Sequence, residues 1–177
     1  MKKTITLLSL LGLMAGNGLK AQNNNALAFD GVDDVVTVTA ASSLIANASG
    51  ISLTAWVYPS NPAPSFPNFD GFAGLRNNTD ADFYLLQLTP TSVEARFRGA
   101  NGVAYDLVTP VLTLNQWVHL AMTYDGAMLR LYKNGLKVDS IAAVDVITNS
   151  VQDLLIGNLD FQGTSYWLSG KVDEVSL

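Results

Sequence analysis

Apolar and polar residues alternate with period two across residues 116–141, and two turn signals cut this stretch into three runs. Val118, Leu120, Met122 and Tyr124 share one face, opposite Trp117, His119, Ala121 and Thr123. Asp125-Gly126 ends that run. Leu129, Leu131 and Lys133 then face one way, against Met128, Arg130 and Tyr132. Asn134-Gly135 follows, a pair suited to a type I′ hairpin turn, which needs positive φ at both central residues. The pattern predicts a three-stranded antiparallel meander. One of its faces is so apolar that a second layer must cover it, which implies a two-sheet sandwich.

Shorter runs repeat this punctuation. Residues 26–29 and 35–39 read as strands around an acidic turn at 30–34, and Ser42 and Ser43 are placed to cap a short helical turn at 44–48. Residues 51–58 alternate with Ile51, Leu53, Ala55 and Val57 on one face and Thr54, Trp56 and Tyr58 on the other. Residues 60–71 hold Pro62, Pro64 and Pro67, so they predict a long loop rather than sheet. Strands follow at 72–75, 82–88, 92–98 and 102–108, at about ten-residue spacing, as a sandwich requires. Residues 139–146 finish the meander and 153–157 form a short strand. A loop is expected at 158–165, and a final strand follows Tyr166 and Trp167.

The segment Trp117-x-His119-x-Ala121-x-Thr123-Tyr124-Asp125-Gly126, followed by Leu131-Tyr132-x-Asn134-Gly135, resembles the laminin-G-like jellyroll domains of the concanavalin A-like lectin/glucanase superfamily. Four further segments fit the same pattern in order: Ala28-Phe29-Asp30-Gly31-Val32-Asp33-Asp34, Leu53-Thr54-Ala55-Trp56-Val57, Leu155-Ile156-Gly157 and Gly170-Lys171-Val172-Asp173-Glu174-Val175. The resemblance covers the chain after residue 25 and implies an all-β, two-sheet antiparallel β-sandwich of the concanavalin A-like jellyroll type. It also implies that the chain runs on past residue 177, as one module of a longer protein.

The N-terminus carries a different signal. Lys2 and Lys3 precede an apolar run at 4–15, and Ala21 offers a small residue for cleavage before Gln22. This pattern predicts a secretory signal peptide at 1–21, a linker at 22–25 and one domain at 26–177. The run is too short to span a bilayer, and no membrane insertion is expected. The predicted location is secreted or cell-surface, on a bacterial-type exported protein. Cleavage would remove three of the 10 Lys and Arg residues and leave all 15 Asp and Glu, a net charge of −8. Such a surface is unsuited to nucleic acid, whose phosphates need clustered Lys and Arg. There is no cysteine, so neither disulfide nor thiolate chemistry is available.

Candidate chemistry is sparse. Asp30, Asp33 and Asp34 crowd one turn, and calcium takes carboxylate and carbonyl oxygens. The resemblance implies a structural calcium between the first and last strands, with Asp173 as the distant partner of Asp30. Plain turn chemistry accounts for the same carboxylates, and no cofactor is required. Tyr58, Phe66 and Phe69 could form an aromatic platform for flat sugar rings. Alternatively, the two Phe residues fold back to plug one end of the sandwich, which the cost of exposing Phe favours. Arg96 and Arg98 share a strand face with Glu94, where they could meet a glycan or serve as cross-strand partners. Tyr166 and Trp167 could edge a binding face, with one of the two in the core. His119, the only histidine, is expected to be packed and hydrogen-bonded. Glycoside hydrolysis needs two flanking carboxyl groups. The only glutamates, Glu94 and Glu174, form no such motif, so no catalytic residue is assigned and the chain is read as a non-enzyme. The expected role is a non-catalytic extracellular binding module, with polysaccharide or cell-surface glycan as partner. Alternatives are a protein-contact or spacer module in an adhesin-like protein, and a glycoside hydrolase relative.

Overall fold

A computed structural model describes residues 25–77, 81–148 and 150–177. The signal-peptide reading of residues 1–21 and most of the predicted linker lie outside them. Fourteen strands follow one another along the described chain. They are β1 (Leu27–Asp30), β2 (Val36–Val38), β3 (Ile51–Pro59), β4 (Asp70–Leu75), β5 (Asp82–Gln87), β6 (Ser92–Arg98) and β7 (Ala104–Pro110). After these come β8 (Val118–Tyr124), β9 (Met128–Lys133), β10 (Leu136–Ala142), β11 (Leu154–Ile156), β12 (Asp160–Phe161), β13 (Thr164–Ser165) and β14 (Ser169–Ser176). Two antiparallel six-stranded sheets form the jellyroll sandwich, in the orders β1-β14-β3-β8-β9-β10 and β2-β11-β4-β5-β6-β7.

The alternation in sequence becomes the inner face of each sheet. Leu53, Ala55 and Val57 of β3 meet Leu120 and Met122 of β8 and Leu129 and Leu131 of β9, all fully buried. From the other sheet, Phe72, Phe83, Leu85, Val93, Ala95 and Phe97 close the same core. The meander forms as its turns predict. Asn134 and Gly135 have φ of 49° and 80°, as a type I′ turn requires, and Lys133 pairs directly with Leu136. Asp125 closes the other turn by accepting from the amides of Ala127 (3.1 Å) and Met128 (2.9 Å).

Three local expectations are corrected. The helical turn is a 3-10 turn at Ala41–Ile45, and no side chain caps it. Ser42 instead bridges to Gln152, accepting from its amide at 2.7 Å and donating its own amide to its carbonyl. The expected loop at 158–165 contains a small hairpin, β12-β13. That hairpin folds across the outer face of β4 and β5, so Tyr84 and Leu86 are buried beneath Leu159 and Tyr166. Gly71 permits this approach, since a Cβ there would lie 2.6 Å from the Leu159 amide nitrogen. On the open side of the sandwich β10 bulges at Val138, between the pairs Lys137–Tyr132 and Asp139–Leu131. Asp139 then accepts a hydrogen bond from Thr109 of β7 at 2.7 Å, tying the edge of one sheet to the edge of the other.

Gly135 and Gly157 separate two causes of glycine dependence. Both have left-handed backbones, with φ of 80° and 83°. A Cβ on Gly135 meets nothing within 4 Å, whereas one on Gly157 would lie 2.0 Å from the Phe29 ring. Gly135→Ala should therefore cost about 1 kcal/mol of backbone strain, and Gly157→Ala about 2–4 kcal/mol once overpacking is added. Urea unfolding of both variants measures the difference, and equal costs would rule out the Phe29 contact as its source.

Candidate functional site

The outer face of the second sheet carries a connected set of buried and half-buried polar side chains. Alternation along β5 and β6 sends Phe83, Leu85, Val93, Ala95 and Phe97 inward, and Tyr84, Leu86, Glu94 and Arg96 outward. The Tyr84 hydroxyl donates to Glu94 Oε1 at 2.7 Å, and Arg96 reaches the same oxygen at 3.2 Å. Arg96 also holds its cross-strand neighbour Asp106 through two nitrogens, at 2.6 and 3.0 Å. Burial, reinforced by the Glu94 charge, pushes the Tyr84 phenol well above its usual range, so it stays a donor. Burial opposes the Arg96 charge, but the bond to Asp106 and the charges of Glu94 and Asp106 outweigh it and hold the guanidinium protonated.

Above this network lies a second guanidinium. Arg76, just after β4, stands 4.5 Å from the Phe161 ring centre, 4.8 Å from Tyr84 and 5.7 Å from Tyr166. These rings, with Phe66, Phe69, Leu86, Glu94 and Arg96, line an open recess of about 210 Å³. Phe69 packs edge-to-face on Tyr166 at 5.5 Å, while Phe66 is 65% exposed on the rim.

A buried carboxylate anchors the loop that carries both phenylalanines. Asp70 accepts from the Ser169 amide at 2.6 Å and from Asn61 Nδ2 at 2.5 Å. Gln87 Nε2 donates to the Asn61 carbonyl at 3.1 Å. One residue thus joins the loop's start, its end at β4, and β14 of the opposite sheet.

The recess unites four of the seven residues expected to bind ligand: Phe66, Phe69, Arg96 and Tyr166. Tyr58 lies on the other sheet, packed edge-to-face on Trp117 at 5.5 Å, so the three-residue platform does not form. The end plug does not form either, because Phe69 covers a sheet face and Phe66 stays exposed. Arg98 pairs with buried Asp82, its cross-strand neighbour, at 3.4 Å, which is the cross-strand role foreseen for it. Trp167 is half-buried and stands outside the recess, while Tyr166 is the core member of that pair. Arg76, Tyr84 and Phe161 were not foreseen. Residues 82–88 are apolar at so many positions that alternation cannot single out Tyr84, and the other two sit in loop and hairpin segments without periodicity. His119 is half-buried against Trp56 at 5.3 Å.

The acidic turn forms, with Asp30, Asp33 and Asp34 able to bring one oxygen each within 4.8 Å of the others. Two of these carboxylates are used locally, Asp30 by the Val32 amide at 2.9 Å and Asp34 by the Asp30 amide at 3.1 Å. Asp173 does not join them. Asp30 pairs with Ser169, which leaves Asp173 four residues further along β14, about 13 Å at strand rise. The Asp30–Asp173 clamp is therefore incompatible with the strand register, and the turn's three carboxylates underfill the six to eight oxygens calcium takes. Glu94 and Glu174 lie on opposite sheets and cannot act as a pair.

A family model described as the concanavalin A-like lectin/glucanases superfamily matches residues 30–177. The chain belongs to this superfamily. Among curated proteins, none matches it. Solved structures share its fold at low identity. The CBM40 of the Ruminococcus gnavus IT-sialidase, bound to α2,3-sialyllactose, aligns with a TM-score of 0.60 and 15% identity, over 85% of this chain and 89% of that one. The binding domain of botulinum neurotoxin DC in complex with SialylT gives 0.64 and 12%, over 89% of this chain and 40% of that one. A structure of NanB with Optactamide gives 0.63 and 17%, over 85% and 24%. The superfamily member described here thus spans less than half of the latter two chains. Among its described residues no helix is long and apolar enough to cross a membrane.

Burial raises the Asp70 carboxyl above its ordinary value, against the opposing pull of the Ser169 and Asn61 hydrogen bonds. The folded state therefore holds this proton more tightly than the unfolded chain, and Asp70's contribution to stability falls as pH rises through its raised value. The stability lost in Asp70→Asn should accordingly shrink as pH rises from below the ordinary carboxylate value. Urea titrations of both proteins across that range check the sign, and a loss that grows with pH would refute it.

Proposed function

We propose that this domain is a non-catalytic carbohydrate-binding module that takes the acidic end of a glycan in the Arg76–Arg96 recess. The observation that carries this reading is the pairing of two guanidinium groups with aromatic rings in one open depression. A guanidinium recognises a carboxylate in a planar, two-pronged geometry that an ammonium cannot match. The rings of Phe66, Phe161 and Tyr166 offer apolar faces to a sugar's C–H surface. A volume of about 210 Å³ is below the roughly 300–1,000 Å³ of enclosed small-molecule sites, which suits one terminal sugar unit on a surface. The sialylated ligands of two structural neighbours, at 15% and 12% identity, agree with an acidic sugar without establishing one.

In this reading Tyr84, Glu94 and Asp106 position Arg96 and perform no chemistry. Glu94 is engaged by both Tyr84 and Arg96, an arrangement that fixes a scaffold rather than freeing an acid. We place the domain outside the cell, where such glycans are displayed, as the apolar N-terminal run also suggests.

Calorimetry of the purified chain with α2,3-sialyllactose and with lactose separates the acidic contribution. Sialyllactose should bind and lactose should bind at least about tenfold more weakly, the worth of one charge-assisted contact. Arg76→Gln should remove that preference. Phe66→Ala, an exposed position, should weaken binding about threefold or more while leaving the melting temperature unchanged. Equal affinity for the two sugars, or binding of neither, would sink the acidic-glycan reading.

A further inference from the structure

The outer face of the first sheet holds a second recess, of about 300 Å³, lined by Ala26, Trp56, Trp117, Asp173 and Glu174. Trp56 is 36% and Trp117 41% exposed, although Trp56 lies within β3 and Trp117 immediately precedes β8. Each is braced edge-to-face, Trp56 by His119 at 5.3 Å and Trp117 by Tyr58 at 5.5 Å. Asp173 is the cross-strand neighbour of Trp56.

Glu174 reaches this face through a backbone irregularity. In a regular strand it would follow Gly170 and Val172 inward. Instead the pairing of β14 with β3 shifts between Asp173 and Ser176, and Glu174 has φ of 49°, an unfavourable left-handed conformation for a residue with a side chain. Its amide is held by Asp173 Oδ1 at 2.9 Å. Val175 takes the inward place against the core, and Glu174 is exposed. Two successive carboxylates thereby flank the tryptophans. Among the described residues, no salt bridge to Lys, Arg or His engages either one. The nearby Lys171 ammonium lies over the Tyr58 ring, 5.3 Å from its centre.

We propose that this recess binds an organic ammonium group, with the tryptophan faces providing cation–π attraction and Asp173 and Glu174 the countercharge. Aromatic faces attract cations through their quadrupole, Trp most strongly, and weakly hydrated alkylammonium ions lose least on leaving water. Carboxylates without a salt bridge beside apolar rings complement that charge, and a backbone held in a sparsely populated region to place one of them is the kind of strain that marks function. This site is independent of the arginine recess, which lies on the other sheet and has the opposite charge.

Tryptophan emission of the purified chain, titrated with tetramethylammonium chloride at constant ionic strength against sodium chloride, tests the proposal. A saturable change is expected with tetramethylammonium and not with sodium. The isosteric double variant Asp173→Asn, Glu174→Gln should weaken it at least about tenfold, the equivalent of one charge contact. Glu174→Gly should raise the melting temperature by about 2–4 °C, by relieving the left-handed residue, and weaken binding as well. This variant makes loss of binding readable in a protein that is at least as stable. The proposal is overturned by a response equal to that of sodium, by undiminished binding in the double variant, or by saturation with methyl glucoside or calcium but not with tetramethylammonium. Sialyllactose binding should be unaffected by the double variant, so failure here and failure of the glycan reading remain distinguishable.

Discussion

In most antiparallel sandwiches each sheet gives one face to the core and the other to water. Strands β4 and β5 are denied the second option, because every residue in both is buried. The segment after β11 folds back over them, held by backbone bonds from Gly71 to Tyr166 and from Gly157 to Phe72. Polar groups that would otherwise face solvent must find partners under this cover, since an unmatched buried polar group costs about 1–3 kcal/mol. The bond between Tyr84 and Glu94 meets that demand beneath the cover, and the fork between Arg96 and Asp106 continues the network to the exposed side of the sheet. The arginine recess is thus the rim of a covered face, where satisfaction by protein groups gives way to the open.

The same constraint explains how a long proline-rich loop is kept in place. Its aromatic residues do not enter the main core. Phe69 instead joins the smaller cluster of Tyr84, Leu86, Leu159 and Tyr166. The Asp70 carboxylate locks the loop's two ends together and to the opposite sheet, so Phe66 is exposed on a fixed base. Position comes from the buried acid, and contact surface comes from the ring beyond it.

Much of the fold was legible because period-two alternation survives wherever one face meets solvent. The meander of β8, β9 and β10, its Asn134-Gly135 turn and the inward set of β3 all follow from that rule. Legibility fails where both faces are covered. Residues 72–75 and 83–86 hold no polar position to mark a second face, so their outward side chains, Tyr84 above all, are not singled out. It fails again where geometry depends on register. The spacing of Asp30 and Asp173 in the chain does not reveal that Asp30 pairs with Ser169. Nor does alternation anticipate the bulge that turns Glu174 outward, because the irregularity lies in the backbone. Phe66, Phe69, Arg96 and Tyr166 were recognisable as candidates from residue type, but their assembly required the hairpin that brings Tyr166 and Phe161 over the sheet.

The bulge at Val138 bears on how copies of the domain coexist. β10 is an edge strand with exposed Leu136, Val138 and Ile141, a composition that invites a neighbouring chain to add a strand. The extra residue breaks the even ladder such a neighbour would need, Lys137 places a charge beside it, and Asp139 is already committed to Thr109 across the sandwich. Two copies meeting at β10 can therefore touch through these apolar side chains without zipping into a continuous sheet there.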